Sequence, residues 1–65
     1  MAIRCKLKFV LLEEKKSQTQ LAELTGMSRT TITLIANEKH FPLLESALMI
    51  AKALNRNVNE IWYLE

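Results

Sequence analysis

The strongest constraint in this sequence is a spacing. Ala22 is followed four residues later by Gly26, the only glycine in 65 residues, and Ile32 and Ile35 fall six and nine residues beyond it. Two helices that cross steeply through a tight turn need a small residue where the second passes over the first, and Ala22 supplies it. The turn itself needs a residue that tolerates positive φ, which glycine does without a Cβ penalty. The second helix must then bury apolar residues of its own, and Ile32 and Ile35 stand at helical spacing to do so. A pair of crossing helices is therefore expected over residues 18–37.

The rest of the chain reads as short helical patterns separated by polar punctuation. Leu7, Val10 and Leu11 at i, i+3 and i+4 predict a first helix over Leu7–Glu14. Ahead of it, Ile3 and Cys5 alternate within Ala2–Lys6, as a short strand or as a lead-in to the helix. Ser17 with Gln20 matches a capping box and opens a second helix, Gln18–Thr25, with Leu21, Ala22 and Leu24 inward. Gly26 ends it. Ser28 caps a third helix from Arg29 to about Asn37, with Ile32, Ile35 and Ala36 inward. Beyond the polar stretch Glu38–Pro42, the residues Leu44, Ala47, Leu48, Ala51 and Leu54 form the stripe of a fourth helix, Leu44–Leu54. Asn55 suits a left-handed C-terminal position, and Asn57 with Glu60 gives a cap signature for a last helix with Val58, Ile61 and Trp62 inward. The expected fold class is all-α: one compact five-helix domain over residues 1–65.

Composition excludes most site chemistry. The chain has one His, one Cys, one Gly and no Asp, so a zinc cluster, a Gly-rich phosphate loop and a calcium loop cannot be assembled. A Ser-His-Asp triad lacks its acid, and Cys5, His40 and a Glu form a thiol site only on paper in a chain with little room for a pocket. No enzyme activity, metal, cofactor or small-molecule ligand is expected. One Cys forms no intrachain disulfide and fits a reducing compartment. No apolar run approaches the roughly 20 residues of a membrane span and no secretory leader is visible, so a cytoplasmic protein without membrane attachment is expected. A net charge of +2 is compatible with a nucleic-acid partner but does not argue for one.

The run QTQLAELTGMSRTTITLIANEK, followed by a loop with Pro42 and then LESALMIAKALNRNVNEI, resembles the Cro and phage-repressor (XRE-type) helix-turn-helix family. The resemblance covers about Leu7 to Trp62. It implies a lambda-repressor-like, five-helix DNA-binding domain of a transcription regulator, expected here to be a repressor and a homodimer on double-stranded DNA. The third helix would lie in the major groove with its N-terminal residues at base edges. Carried onto this chain, the base-reading candidates are Arg29, Thr30, Thr33 and Leu34, and the phosphate-facing candidates are Gln18, Ser28, Asn37, Lys39 and His40. The chemistry agrees: Arg29 offers a bidentate donor pair to guanine, the threonines offer a hydroxyl or a methyl, and Gln18 stands where free helix N–H groups suit an anion. Arg29 also sits at the positive end of the helix dipole, a locally unfavourable place that suggests outside use.

Three departures from the family pattern matter. Many relatives read Leu-Glu-Asn-Gly-Lys where this chain has Ile35, Ala36, Asn37, Glu38 and Lys39, which leaves Glu38 where positive φ is often required. The family's glutamate-arginine pair is replaced by Ala36 and Leu11, so an apolar contact is expected there. Leu34 stands where relatives carry a long polar residue, either touching a thymine methyl or marking a protein-facing surface. Leu43 likewise removes a polar cap from the fourth helix. Candidate apolar contacts for a second subunit lie at the ends: Ile3, Phe9, Trp62, Tyr63 and Leu64. Trp62 could equally be core, and Tyr63 and Leu64 could pair with Ala2–Lys6 as a small sheet. The alternative reading is a protein-interaction or antitoxin-like module on the same fold, with little DNA specificity.

Overall fold

A computed structural model describes residues 2–65. Its elements, in chain order, are β1 (Ile3–Cys5), α1 (Leu7–Glu13), α2 (Gln18–Thr25), α3 (Arg29–Ala36), α4 (Leu44–Ala53), α5 (Val58–Ile61) and β2 (Trp62–Leu64). Five helices form the body, and the two strands pair antiparallel with Ile3 opposite Leu64, Arg4 opposite Tyr63 and Cys5 opposite Trp62. The ends of the chain thus close into a two-stranded ribbon, one of the two alternatives that the sequence leaves open for Tyr63 and Leu64.

Helices this short are marginal alone, so their ends carry much of the specification. Ser17 Oγ accepts from Gln20 N–H while Gln20 Oε1 accepts from Ser17 N–H, completing the capping box. Ser28 Oγ accepts from Thr31 N–H at the start of α3. At the other ends, four residues take positive φ: Lys15 (57°), Gly26 (74°), Glu38 (60°) and Asn55 (56°). After Lys15, Glu38 and Asn55 the next N–H reaches back to close the helix: Lys16 to Leu11 O, Lys39 to Leu34 O and Arg56 to Ala51 O, each 2.9 Å. This is the left-handed C-terminal closure, here built mostly without glycine.

The core is a single cluster built from every helix and β2. Leu7, Leu21, Ile32, Ile35, Ile50, Leu54 and Ile61 are its fully buried side chains, joined by Val10, Leu11, Ala36, Ala47, Ala51 and Trp62. Ala36 and Leu11 both lie in this core, where an apolar contact is expected, and α1 packs on α3. Trp62 is core but sits in β2 instead of α5, and its Nε1–H has no partner among the described residues.

Two inward stripes differ from the sequence reading. On α2, Leu24 is 58% exposed and Thr25 is buried. The buried face centres between Leu21 and Ala22, which leaves Leu24 roughly 100° around the helix. The Thr25 hydroxyl survives burial because it donates to Leu21 O at 2.8 Å and accepts from Met27 N–H. On α4 the stripe is Ala47, Ile50, Ala51 and Leu54, while Leu44 and Leu48 are 72% and 52% exposed. They lie about 70° and 110° from the centre of that face. Asn57 holds the cap position of α5, but its side chain accepts no backbone hydrogen bond; its Nδ2 donates instead to Glu60 Oε1 at 3.4 Å, while Arg56 holds Glu60 Oε2 at the same distance. Leu43 caps α4 with no side-chain bond, as its chemistry dictates.

These differences are testable by denaturation. Ile50→Ala, which empties a fully buried site, is expected to cost about 2–5 kcal/mol, whereas Leu48→Ala on the same helix should change stability by less than about 0.5 kcal/mol. Equal losses would contradict the rotated stripe. A Cβ at Gly26 meets nothing within 4 Å, so Gly26→Ala carries only the left-handed penalty of about 1–2 kcal/mol, seen as a melting temperature lower by roughly 4–8 °C per kcal/mol.

Candidate nucleic-acid interface

Helix α3 buries Ile32, Ile35 and Ala36 and so turns the opposite stripe outward. Thr30, Thr33, Leu34 and Asn37 fall at i, i+3, i+4 and i+7, the outer face of one helix. Arg29, Thr30 and Asn37 are exposed, Leu34 is 41% exposed and Thr33 is half-buried. All four base-reading candidates therefore share this outer surface or its N-terminal end. Arg29 enters no hydrogen bond or ion pair among the described residues, so its five donors are uncommitted.

The N-terminus of α2 meets this face. Thr33 Oγ1 donates to Gln18 Oε1 at 2.7 Å, fifteen residues apart in sequence. The bond fixes the Gln18 amide with its carbonyl occupied and its NH2 free to donate, beside the open N–H groups of a helix start. It also spends the Thr33 proton, leaving that hydroxyl as an acceptor and its methyl as the remaining contact group. Neither effect is legible from sequence, because it needs the crossing angle of the two helices. Ser28 Oγ caps α3 and lies 2.8 Å from Thr31 Oγ1, so the hydroxyl available to a phosphate there is already shared.

At the C-terminal end of α3, Asn37, Lys39 and His40 are exposed. Glu38, between them, is turned to the ribbon. Arg4 grips it with both arms of its guanidinium, Nε to Oε1 at 2.9 Å and Nη2 to Oε2 at 3.3 Å, and Cys5 N–H donates to Oε1 at 2.8 Å. Arg4 Nη1 also reaches Glu65 Oε2 at 2.9 Å. The Arg4 hydrogen bond, then the Cys5 N–H, hold the Glu38 carboxyl below its ordinary range; the hydrogen bond and charge of Glu38, with the charge of Glu65, hold Arg4 more firmly protonated. The sequence gives no sign of this contact, since the partners are 34 positions apart. The same holds for Arg56, which gathers Glu13, Glu14 and Glu60 within 2.8–3.4 Å.

Elsewhere the chemistry is quiet. Burial pushes the Cys5 thiol up, the opposite of what a reactive thiolate needs. No group of three His, Cys, Asp or Glu suited to a metal ion occurs among the described residues, and no helix there is long and apolar enough to cross a membrane.

Comparison with known proteins agrees with the geometry. The family model described as "Helix-turn-helix" matches residues 7–61. Eleven chains among the solved structures match. One is the crystal structure of a protein from Bacteroides fragilis, described as a candidate DNA-binding protein. It is 27% identical, covers 95% of this chain and 100% of its own, and superposes with a TM-score of 0.89. No curated protein matches.

The Arg4–Glu38 contact has a pH signature. Because the folded-state carboxyl titrates below its ordinary value near 4.5, its contribution to stability is complete above that value and is lost as pH falls through the depressed folded value. Thermal melts of the wild type and Glu38→Gln are expected to differ by a small margin at pH 7, and that margin should shrink as pH falls below the ordinary value near 4.5. A constant separation down to pH 2.5 would show that the carboxylate is not what the ribbon holds.

Proposed function

The chain belongs to the XRE-type helix-turn-helix family, and on that premise we propose that it is a sequence-specific DNA-binding transcription regulator, a cytoplasmic repressor that inserts α3 into the major groove of double-stranded DNA. One observation carries the reading: the outer face of α3 gathers an uncommitted Arg29 with Thr30, Thr33 and Leu34, adjoined at Thr33 by the oriented Gln18 amide and followed by Asn37, Lys39 and His40. Arg29 and Thr30 open the face, the Gln18 amide adjoins it at Thr33, and Asn37, Lys39 and His40 follow its C-terminal end, so base-reading and phosphate-facing groups lie side by side as groove recognition requires. Arg29 pairs with a guanine, a contact worth roughly 1–3 kcal/mol of discrimination. Gln18 and Lys39 position the helix on the backbone, with Asn37, His40 and the shared Ser28 hydroxyl beside them.

One domain makes few phosphate contacts, so useful affinity calls for two copies. We propose a C2 homodimer joined away from α3, through the apolar surface that Ile3, Phe41, Leu44 and Leu64 leave 46%, 54%, 72% and 63% exposed. Such a dimer sets its recognition helices about 34 Å apart on a pseudopalindromic site. The second reading, a protein-interaction module, rests on the exposed Leu34 in the centre of the outer face.

Selection of binding sites from a random duplex pool, followed by salt titration, separates the two. A regulator enriches one sequence and its log K falls steeply with log salt; a protein-interaction module enriches none. On the selected site, Arg29→Ala is expected to relax preference at one base pair. Lys39→Ala is expected to weaken all sequences alike and to reduce the salt slope by about one unit. Uniform loss from both variants would contradict the assigned roles.

A further inference from the structure

The strand β1 lies outside the residues matched by the family model, which begins at position 7, yet it reaches the end of α3 through Arg4. Glu38 immediately precedes Lys39, so a carboxylate free to turn outward there would oppose the attraction of Lys39 for a phosphate. The chain cannot avoid this by charge balance alone. It is avoided by geometry: the positive φ of Glu38, the fork of Arg4 and the Cys5 N–H together commit both carboxylate oxygens to the ribbon. Arg4 and Glu38 are respectively 42% and 31% exposed, and an ion pair in that setting contributes little to stability. What it does decide is where the charge sits.

We infer that Arg4 is a positioning residue for nucleic-acid binding: it withdraws the Glu38 carboxylate from the loop after the recognition helix, so that Lys39 meets the phosphate backbone unopposed. This rests on the DNA-binding reading above. It assigns the terminal ribbon a role at the interface without a DNA contact of its own. Gln at position 38 keeps an acceptor for Cys5 N–H and carries no charge, so it should make Arg4 dispensable.

The test uses the full chain and the duplex selected above, with binding measured over a salt series and folding checked by circular dichroism. Arg4→Gln is expected to weaken binding about fivefold at low salt, the effect of one uncompensated charge near the backbone, with a shallower salt slope. Arg4→Gln/Glu38→Gln is expected to return within twofold of the wild type. Glu38→Gln alone is expected to bind as tightly as the wild type or more tightly, a result that needs no variant at Arg4. The inference is overturned if folded Arg4→Gln binds like the wild type, if the double variant stays as weak as Arg4→Gln, or if Glu38→Gln alone loses more than threefold. If the unaltered protein enriches no DNA, this inference falls with the reading on which it rests.

Discussion

The reversal of the chain at Gly26 is the constraint on which the rest of the structure depends. It ends α2 in the left-handed region with its N–H bonded to Ala22 O, and Ser28 restarts the helix two residues later. That short turn fixes the crossing of α2 and α3, which in turn joins Leu21, Ile32 and Ile35 in one core and places Gln18 within reach of Thr33. None of these helices is long enough to be stable alone. Their stability comes from capped ends and one shared core, so the recognition surface is held by the same contacts that hold the fold.

The helices were legible in the sequence because their signals are local. Ser17 with Gln20, Ser28, Gly26 and Asn55 each act within a few residues, and each does in the structure what its chemistry dictates. Failures came where a local pattern was ambiguous about direction. On α4, five Leu and Ala positions suggest one stripe, but the core lies nearer Ile50, and only the packing of α4 on α2 and α5 decides between them. Asn57 takes the cap position without a capping bond, because its side-chain amide donates to the Glu60 carboxylate, which Arg56 holds as well. The candidate site divides the same way. The outer face of α3 follows from the positions of Ile32 and Ile35, whereas the Gln18–Thr33 bond and the Arg4–Glu38 clamp depend on contacts 15 and 34 residues apart.

Charge organisation makes the modest net charge of +2 misleading. Arg4 and Arg56 between them engage five of the seven glutamates. Most of the negative charge is thereby tied to two arginines, while Arg29 and Lys39 enter no ion pair among the described residues. The field that a polyanion meets is set by this pairing as much as by the totals. A chain poor in catalytic residue types instead concentrates its chemistry in where donors point and which charges are left free.

The central claim is that the outer face of α3, flanked by the start of α2 and the loop after α3, is the surface that meets DNA. Chemical-shift mapping of the isotope-labelled protein with its selected duplex tests it most directly. The account predicts that backbone and side-chain signals of Gln18, Arg29, Thr30, Thr33, Leu34 and Lys39 shift on titration, while those of the exposed α4 residues Leu48 and Met49 do not. Shifts centred on α4, with α3 unmoved, would contradict it.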